Sequence, residues 1–236
     1  NPYWTVNKTS NTDQRDRVLG MLRLSYDFTN WLKLTARGGT DFYTEQRLRY
    51  RAKGTYQSQN RNGDIEEKVI RVREDNYDLL LNANLTLNKD FTLGLNAGTS
   101  HQKKFLRQTG NTGKEFIVPD LHVINNTLTN SYIFDLQQSE INSVYGFGQL
   151  AFRNYWFVDF SARNDWSSTL SSENNSFFYP SVSTSLIMTD LLNTKSNVLN
   201  FWKLRGSVAQ AGSSGNPYQL TGTYSLDQFT HGGQPL

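Results

Sequence analysis

The chain has 236 residues, a formal net charge of +3 and no cysteine. The small net charge gives no argument for a nucleic-acid partner, and the lack of cysteine excludes disulfides and thiolate metal sites. No run of residues approaches the roughly eighteen apolar positions that a transmembrane helix requires. The mean hydropathy of −0.61 does not exclude membrane strands, because every second residue of such a strand faces water.

In chain order, residues 1–16 are polar and predict an exposed loop. Alternation of apolar and polar residues predicts a first strand over 18–26 and, after a short turn, a second strand over 32–43. The polar parity of the second strand continues as a basic stripe beyond Glu45. The stripe consists of Arg47, Arg49, Arg51 and Lys53. It predicts that the strand rises out of an apolar layer with one face still in water.

A polar loop is predicted over 54–70, and the clearest alternation of the chain follows it, from Tyr77 to Thr99. Its two halves flank Asn88-Lys89-Asp90, and a three-residue link between alternating segments predicts an antiparallel hairpin. One face of the hairpin is rich in leucine, and the other holds small polar residues. Residues 103–139, which include two glycines and a proline, are predicted as a long connecting segment.

The second half of the chain predicts four more strands, over 141–153, 156–163, 180–189 and 202–210. A tight turn is expected at 153–155, a polar loop at 167–177 and a link with a loose helical pattern at 190–200. The remainder, 211–236, is predicted as loop with a partial strand at 220–226.

The lengths of these strands and links indicate a membrane fold. Soluble strands run to about 5–6 residues, whereas the predicted strands approach the roughly ten residues with which a tilted strand crosses a bilayer. Short links alternate with long ones, as do the periplasmic turns and extracellular loops of outer-membrane barrels. We therefore predict an all-β fold, a transmembrane antiparallel β-barrel segment of about eight strands in the bacterial outer membrane.

Two alternatives stay open on the residues alone. An eight-stranded outer-membrane barrel, complete in itself and structural or adhesive in role, fits the number of strands, although both ends of the chain have loop chemistry. A soluble β-sandwich that binds glycans also fits the alternation, but it requires shorter strands and no lipid-facing stripe. The alternatives differ in strand length and in whether one face of the sheet is continuously apolar.

No catalytic or cofactor motif is present. The three histidines, His101, His122 and His231, have no metal-ligand spacing, and neither G-x-S-x-G nor H-E-x-x-H occurs. The sequence therefore predicts a protein that is not an enzyme and that needs no cofactor or metal.

Several short motifs, in consistent order, carry a resemblance to a known family. They are N-P-Y-W at 1–4, R-D-R-V at 15–18, W-L-K-L at 31–34, G-T-D-F-Y at 39–43, A-R-N-D at 162–165, Y-P-S-V-S at 179–183 and W-K-L-R-G-S at 202–207. Across nearly the whole chain, this series resembles the barrel of the SusC/RagA-type TonB-linked outer-membrane transporters of Bacteroidetes.

The resemblance implies a 22-stranded barrel of which residues 1–236 form one part, with a plug domain and the remaining strands outside this sequence. It implies TonB-dependent active import of a nutrient, either an oligosaccharide or a peptide, together with a SusD-like surface lipoprotein. TonB would act through the plug, and outer-membrane lipid and lipopolysaccharide would surround the barrel. No residue role is assigned by the resemblance alone.

Candidate contact residues come from the chemistry of the side chains. The basic stripe, Arg47, Arg49 and Arg51, is either a solvated, self-paired face of the lumen or a contact for an anionic partner, namely a substrate or lipopolysaccharide phosphate. Trp166 and Tyr179 flank a predicted outer loop, where each is expected either to pack within the loop or to stack on a sugar ring. We take these five residues as the candidate substrate-binding set.

Overall fold

The computed structural model describes residues 2–56, 58, 62–194, 198–220, 222, 230–231 and 234–235. Eight antiparallel strands form one sheet, and each strand pairs with its neighbours in the chain. They are β1 (Thr9–Asp27), β2 (Leu32–Arg51), β3 (Asp64–Thr86), β4 (Phe91–Phe116), β5 (Thr127–Phe152), β6 (Trp156–Ser167), β7 (Ser176–Ile187) and β8 (Lys203–Ala209).

Short elements accompany the sheet. Helix α1 (Pro2–Lys8) precedes β1, a single 3-10 turn (Ile124–Asn126) precedes β5, and α2 (Met188–Leu191) follows β7. The two-residue strands β9 (Thr230–His231) and β10 (Gln234–Pro235) pair with each other. No helix among the described residues is long and apolar enough to cross a membrane. The predicted partial strand at 220–226 lies mostly outside the described residues.

All eight predicted strands are confirmed, but two predicted loops are wrong. Residues 2–8 form α1 and 9–16 belong to β1, and most of the predicted segment 103–139 extends β4 and β5 into strands of 26 residues each. In the extension of β4, polar residues fill most positions of both faces, so the alternation fades there. The extension of β5 does alternate, through Tyr132, Phe134 and Leu136, but this pattern was not recognised. The predicted loop at 54–70 is also shorter, since β3 begins at Asp64.

The register confirms one apolar and one polar face. A single cross-strand row joins Leu34, Leu81, Ala97, Gly146 and Ala162 from β2 to β6. A neighbouring row on the other face holds only polar side chains. Its members are Arg37, Asp78, Ser100, Ser143 and Asp165. Because side chains alternate along a strand, this register places every leucine of the Tyr77–Thr99 hairpin except Leu80 on the apolar face.

Short turns close one end of the sheet, and polar side chains shape them. In the β3–β4 turn, the Asn88 side-chain oxygen accepts hydrogen bonds from the backbone N–H groups of Asp90 and Phe91, both at 2.9 Å. Arg153 in the β5–β6 turn donates from Nε to Asp90 at 2.7 Å. The predicted short links are therefore confirmed at this end, and the β1–β2 turn lies there as well.

Strand length divides the sheet into two zones. The apolar face occupies about ten residues from the short turns, which is the length that crosses a bilayer at a tilt. The 26 residues of β4 correspond to roughly 85 Å at the usual rise of about 3.3 Å per residue. More than half of β4 and β5 therefore extends beyond the apolar zone, toward the long links.

A small buried core closes the end with the long links. Ala52, Ile65 and Phe116 are at most 2% exposed. The amide of Asn126 organises the 117–126 link around this core. It donates to the carbonyl oxygens of Val118 and Leu121 at 2.8 and 2.7 Å and accepts from the N–H of Val118 at 3.0 Å.

His122 joins this link to the sheet. Its ring stacks on Tyr50 with centroids 4.0 Å apart and meets Phe116 edge-on at 5.3 Å. Its Nε2 atom is buried without a hydrogen-bond partner among the described residues. Burial lowers the pKa of His122 below its ordinary value of 6.5, and the carboxylate of Asp120, which binds Lys8 at 2.9 Å, offsets only part of that effect.

Acidification is expected to loosen the 117–126 link. The folded link holds His122 neutral, so its stabilising contribution is complete above pH 6.5 and is lost as the pH falls below that value, where the unfolded link binds the proton more readily. Hydrogen exchange of the link, corrected for the intrinsic pH dependence of exchange, should rise between pH 7.5 and 5.5. A His122→Phe variant keeps the stacking and should lose this dependence; an unchanged dependence in that variant contradicts the assignment.

Candidate functional site

The polar face of β2–β6 is the candidate functional site because it concentrates charged side chains of both signs. Along this face, acidic residues of β3 face basic residues of β2 in register. The pairs are Asp64 with Arg51, Glu66 with Arg49 and Asp78 with Arg37. Opposite charges at directly paired positions stabilise a sheet by a few tenths of a kcal/mol to about 1 kcal/mol each.

The predicted stripe lies on this polar face, and each of its arginines has a carboxylate beside it. Arg51 donates from Nε to Asp64 at 2.8 Å. Arg47 binds Glu45 on the same strand. Arg49 has the loosest pair, with 3.7 Å between its Nη2 and an oxygen of Glu66, and half of its side chain is exposed. The structure thus brings the three arginines together, while contact with an anionic partner stays a prediction.

Glu45 is the centre of the upper part of the stripe. Its side chain is 2% exposed and accepts hydrogen bonds from Arg47 and from Arg15 of β1. These two guanidinium groups, Arg47 first, lower the pKa of Glu45 although burial opposes them. A buried carboxylate between two arginines stays ionised at neutral pH, and it fixes the arginine side chains in the sheet.

A second network crosses the middle of the polar face. The carboxylate of Asp78 accepts a hydrogen bond from Arg37 Nε at 2.8 Å and another from the hydroxyl of Tyr145. Arg163 lies 5.5 Å from the Tyr145 ring centroid and donates to Ser143 Oγ at 2.8 Å and to Asp165 at 2.6 Å. The network therefore connects β2, β3, β5 and β6 and lines a cleft of about 560 Å³.

Gly98 of β4 makes this connection possible. Tyr145 pairs with Gly98 in register and extends across it to reach Asp78 on β3. A Cβ atom at position 98 would lie 2.7 Å from the Tyr145 ring and 2.7 Å from the carbonyl oxygen of Leu79. No side chain fits in that space, so the glycine allows the tyrosine to lie against the sheet.

Tyr179 also lies on the polar face, opposite Arg163. Its ring stacks with that of Phe177, with centroids 6.2 Å apart. The segment after β8 passes over it, and a Cβ atom at Gly212 would lie 2.9 Å from the ring. The same segment reaches β3 and β4, where Ser214 and Pro217 help to line a cleft with Glu74, Gln102 and Lys104.

Trp166 lies on the opposite side of the sheet. It pairs with Asn142 and Ser176 and lines an open apolar depression with Val144 and Phe178. The structure therefore brings Tyr179 and the stripe to one face and places Trp166 on the other. Trp31 and Trp156 lie at the end with the short turns and are also exposed, so the tryptophans mark both borders of the apolar zone.

The central network was missed by the sequence analysis. Each of its members occupies a polar position of an alternating strand, but which residues lie side by side is known only once the strands are placed in register. The members are Arg37, Asp78, Tyr145, Arg163 and Asp165. The available signal was the pairing of isolated charges of opposite sign on adjacent predicted strands. Among the residues that the structure describes, no three His, Asp or Glu side chains are placed to hold a metal ion.

The family model described as "TonB dependent receptor-like, beta-barrel" matches residues 1–235. Among solved structures, the RagAB peptide transporter superposes with a TM-score of 0.81 at 17% identity, over 98% of this chain and 26% of that chain. The RagAB peptide importer in its open-open state gives a TM-score of 0.81 at 18% identity with the same coverage.

The chain thus spans about a quarter of the length of the solved chains that it resembles. The comparison with curated proteins finds no match to this sequence. At this identity the structural likeness establishes the fold: an all-β sheet from a receptor barrel.

A methyl group at position 98 is expected to separate Tyr145 from Asp78. Gly98→Ala should lower stability by about 1–3 kcal/mol through overpacking, measured as the temperature at which the detergent-solubilised protein loses its compact migration on a gel. Gly20→Ala is the matched control, because a Cβ at Gly20 has open space around it. In a Tyr145→Ala background the cost of Gly98→Ala should shrink; an equal cost in both backgrounds contradicts the assigned contact.

Proposed function

We propose, since the chain belongs to the TonB-dependent receptor-like β-barrel family, that it forms part of the wall of an active nutrient importer. The protein lies in the bacterial outer membrane. The observation that carries the proposal is the match of residues 1–235 to the receptor barrel, supported by a sheet that superposes on RagAB over 98% of the chain. No bond of the substrate is made or broken in this function.

The two faces of the sheet have distinct tasks in the proposal. The apolar face contacts lipid, and the polar face with its ion pairs lines the lumen. The short turns lie in the periplasm, and the long links, with the extended parts of β4 and β5, lie outside the cell. TonB would supply energy through a plug domain that is not in this chain.

A SusD-like surface lipoprotein is the proposed external partner. The extended parts of β2–β5 raise a wall well above the apolar zone, and such a wall offers a rim on which a second protein can close. The solved structures named RagAB support a two-component assembly of this kind.

A peptide is the proposed substrate class. The polar face presents paired charges of both signs, which suit the ionised termini and side chains of peptides. Its two tyrosine rings nearest the central network are occupied, because Tyr179 lies under the Gly212 segment and Tyr145 under Arg163. Of the candidate contact residues, Arg49 has the weakest internal pair and is the proposed contact for a substrate carboxylate, with Arg47 and Arg51 beside it. Trp166 takes an interfacial position in this proposal.

The complete eight-stranded barrel is less well supported. Among the described residues, β1 and β8 do not pair with each other, and a closed barrel in lipid has no unpaired edge. The β-sandwich is excluded, since the eight long strands belong to one sheet of the receptor-barrel fold.

Uptake measurements test the import proposal. Cells with and without the protein are given fluorescein-labelled tryptic peptides of casein or, in parallel, labelled malto-oligosaccharides, each in the presence and absence of TonB. Peptide uptake should fall at least tenfold when either the protein or TonB is missing. Arg49→Gln should reduce uptake of acidic peptides several-fold and leave basic peptides unchanged. Uptake that is independent of TonB overturns the proposal; oligosaccharide uptake alone overturns only the substrate class.

A charge at the centre of the apolar face tests the assignment of the faces. Leu81 lies in the middle of the apolar zone of β3 and is 39% exposed. Leu81→Arg should cost about 2–4 kcal/mol near the bilayer midplane and impair assembly. Asn84→Arg, on the polar face of the same strand, is the matched control and should assemble normally. Quantitative blots of the outer-membrane fraction measure both; normal assembly of Leu81→Arg shows that the face assignment is wrong.

A further inference from the structure

A basic cluster lies on the outside of the sheet, immediately above the apolar zone. The cluster consists of Arg71 and Arg73 of β3 and Lys103 and Arg107 of β4. These four residues have the same parity as the leucines of their strands, and all are exposed. On β3 the apolar zone ends at Tyr77, and Arg73 lies four residues further. A tilted strand rises by roughly 10 Å over four residues, so the cluster lies at the level of lipid headgroups.

Two of these arginines face each other without a carboxylate. Arg71 pairs directly with Arg107 in the β3–β4 register. Within the part of the chain that the structure describes, neither has an acidic group at ion-pair distance; Arg107 lies only over the Phe134 ring, 5.9 Å from its centroid. Like charges that are directly opposite destabilise a sheet. On the polar face, by contrast, Arg37 and Arg51 each bind a carboxylate.

A groove of about 650 Å³ continues upward from the cluster on the same face. Its lining includes the amides Gln46 and Asn111, the hydroxyl of Thr109 and the ring of Tyr132. Tyr132 is 64% exposed. Its ring stacks on that of Phe134, and the guanidinium group of Arg107 lies over the Phe134 ring. Amide and hydroxyl groups beside an exposed aromatic ring are suited to a sugar rather than to an acyl chain.

From bottom to top, the outer face therefore presents an apolar surface, a basic cluster and a polar groove. Within the cluster Arg73 is paired with Asp75 at 2.8 Å, whereas Arg71 and Arg107 have no carboxylate at ion-pair distance in the described part of the chain. We propose that this surface binds a phosphorylated glycolipid of the outer leaflet, the lipid A part of lipopolysaccharide. The acyl chains contact the apolar zone, the glucosamine phosphates bind Arg71 and Arg107, and the attached sugars enter the groove. Lys103 and Arg73 lie at the sides, with the carboxylate of Asp75 between them. Charge complementarity selects this occupant, since a phosphate relieves the repulsion of the facing arginines.

The site differs from the predicted stripe. Arg47, Arg49 and Arg51 were considered as contacts for lipopolysaccharide phosphate, but they lie on the polar face, away from lipid. The inference rests on the membrane orientation of the proposed function and on no property of the imported substrate.

Native mass spectrometry of the protein purified from outer membranes in mild detergent tests the site. Wild-type protein should retain lipid A or lipopolysaccharide, and Arg71→Gln/Arg107→Gln should retain at least tenfold less. Arg23→Gln/Arg205→Gln, which removes two exposed arginines from the polar face, is the matched control and should retain the wild-type amount. Equal retention by the wild type and the Arg71/Arg107 variant overturns the proposal. Compact gel migration confirms that each variant is folded, and Lys103→Glu serves as a second, single-site variant with the same expected direction.

Titration of delipidated protein identifies the ligand. Phosphorylated lipid A should bind at least tenfold more tightly than the same lipid after phosphatase treatment. Equal binding of both forms overturns the phosphate contact, and equally tight binding of inorganic phosphate alone overturns the lipid as its source. The uptake assay separates the two proposals. An Arg71→Gln/Arg107→Gln variant that loses the lipid but still takes up peptide agrees with both proposals. A wild-type protein that takes up no peptide overturns the import proposal and leaves the lipid site standing.

Discussion

Backbone hydrogen bonding between neighbouring strands is the constraint on which the rest of this structure depends. In hydrocarbon no water can satisfy an N–H or C=O group, so each strand must be paired along its whole crossing. The pairing of β1 to β8 in sequence order meets this requirement within the sheet, and short turns alternate with longer links from β1 to β7. Once the register is set, each side chain has an assigned face, and a shift by one residue would exchange lipid and water for all of them.

The polar networks follow from that register. Arg37 and Asp78 meet because their strands pair at those positions, and Tyr145 reaches Asp78 because position 98 carries no side chain. Many charges on this face are paired with neighbours in the sheet, whereas Arg71 and Arg107 above the apolar face have no carboxylate at ion-pair distance among the described residues. The same backbone arrangement thus concentrates the ion pairs on one face and brings two arginines together on the other.

The sequence was informative wherever lipid imposes a difference between the two faces. The alternating leucines of the hairpin predicted both the strands and the face of the sheet on which these side chains lie, as for Leu79, Leu81, Leu93 and Leu95. The Asn88-Lys89-Asp90 link predicted the turn. The sequence was uninformative at 103–116, where polar residues fill most positions of both faces. Residues 127–139 were also taken for a loop, although Tyr132, Phe134 and Leu136 alternate there. The stripe Arg47, Arg49 and Arg51 was placed on the correct strand extension, but its partners on β3, Asp64 and Glu66, depend on a register that alternation alone does not specify. Trp166 was grouped with Tyr179 because both flank the same predicted loop, although the β6–β7 register, which pairs Trp166 with Ser176 and Tyr179 with Arg163, places them on opposite faces.

The tyrosine that lies over Gly98 also affects the width of the passage. An aromatic side chain standing upright on a sheet would project well into the lumen, but the Tyr145 ring lies flat against the backbone of β4. Phe160 does the same over Gly148 on the lipid side. Two of the bulkiest side chains are thereby accommodated within the thickness of the wall. The bore keeps its diameter, and the surface that lipid meets stays smooth.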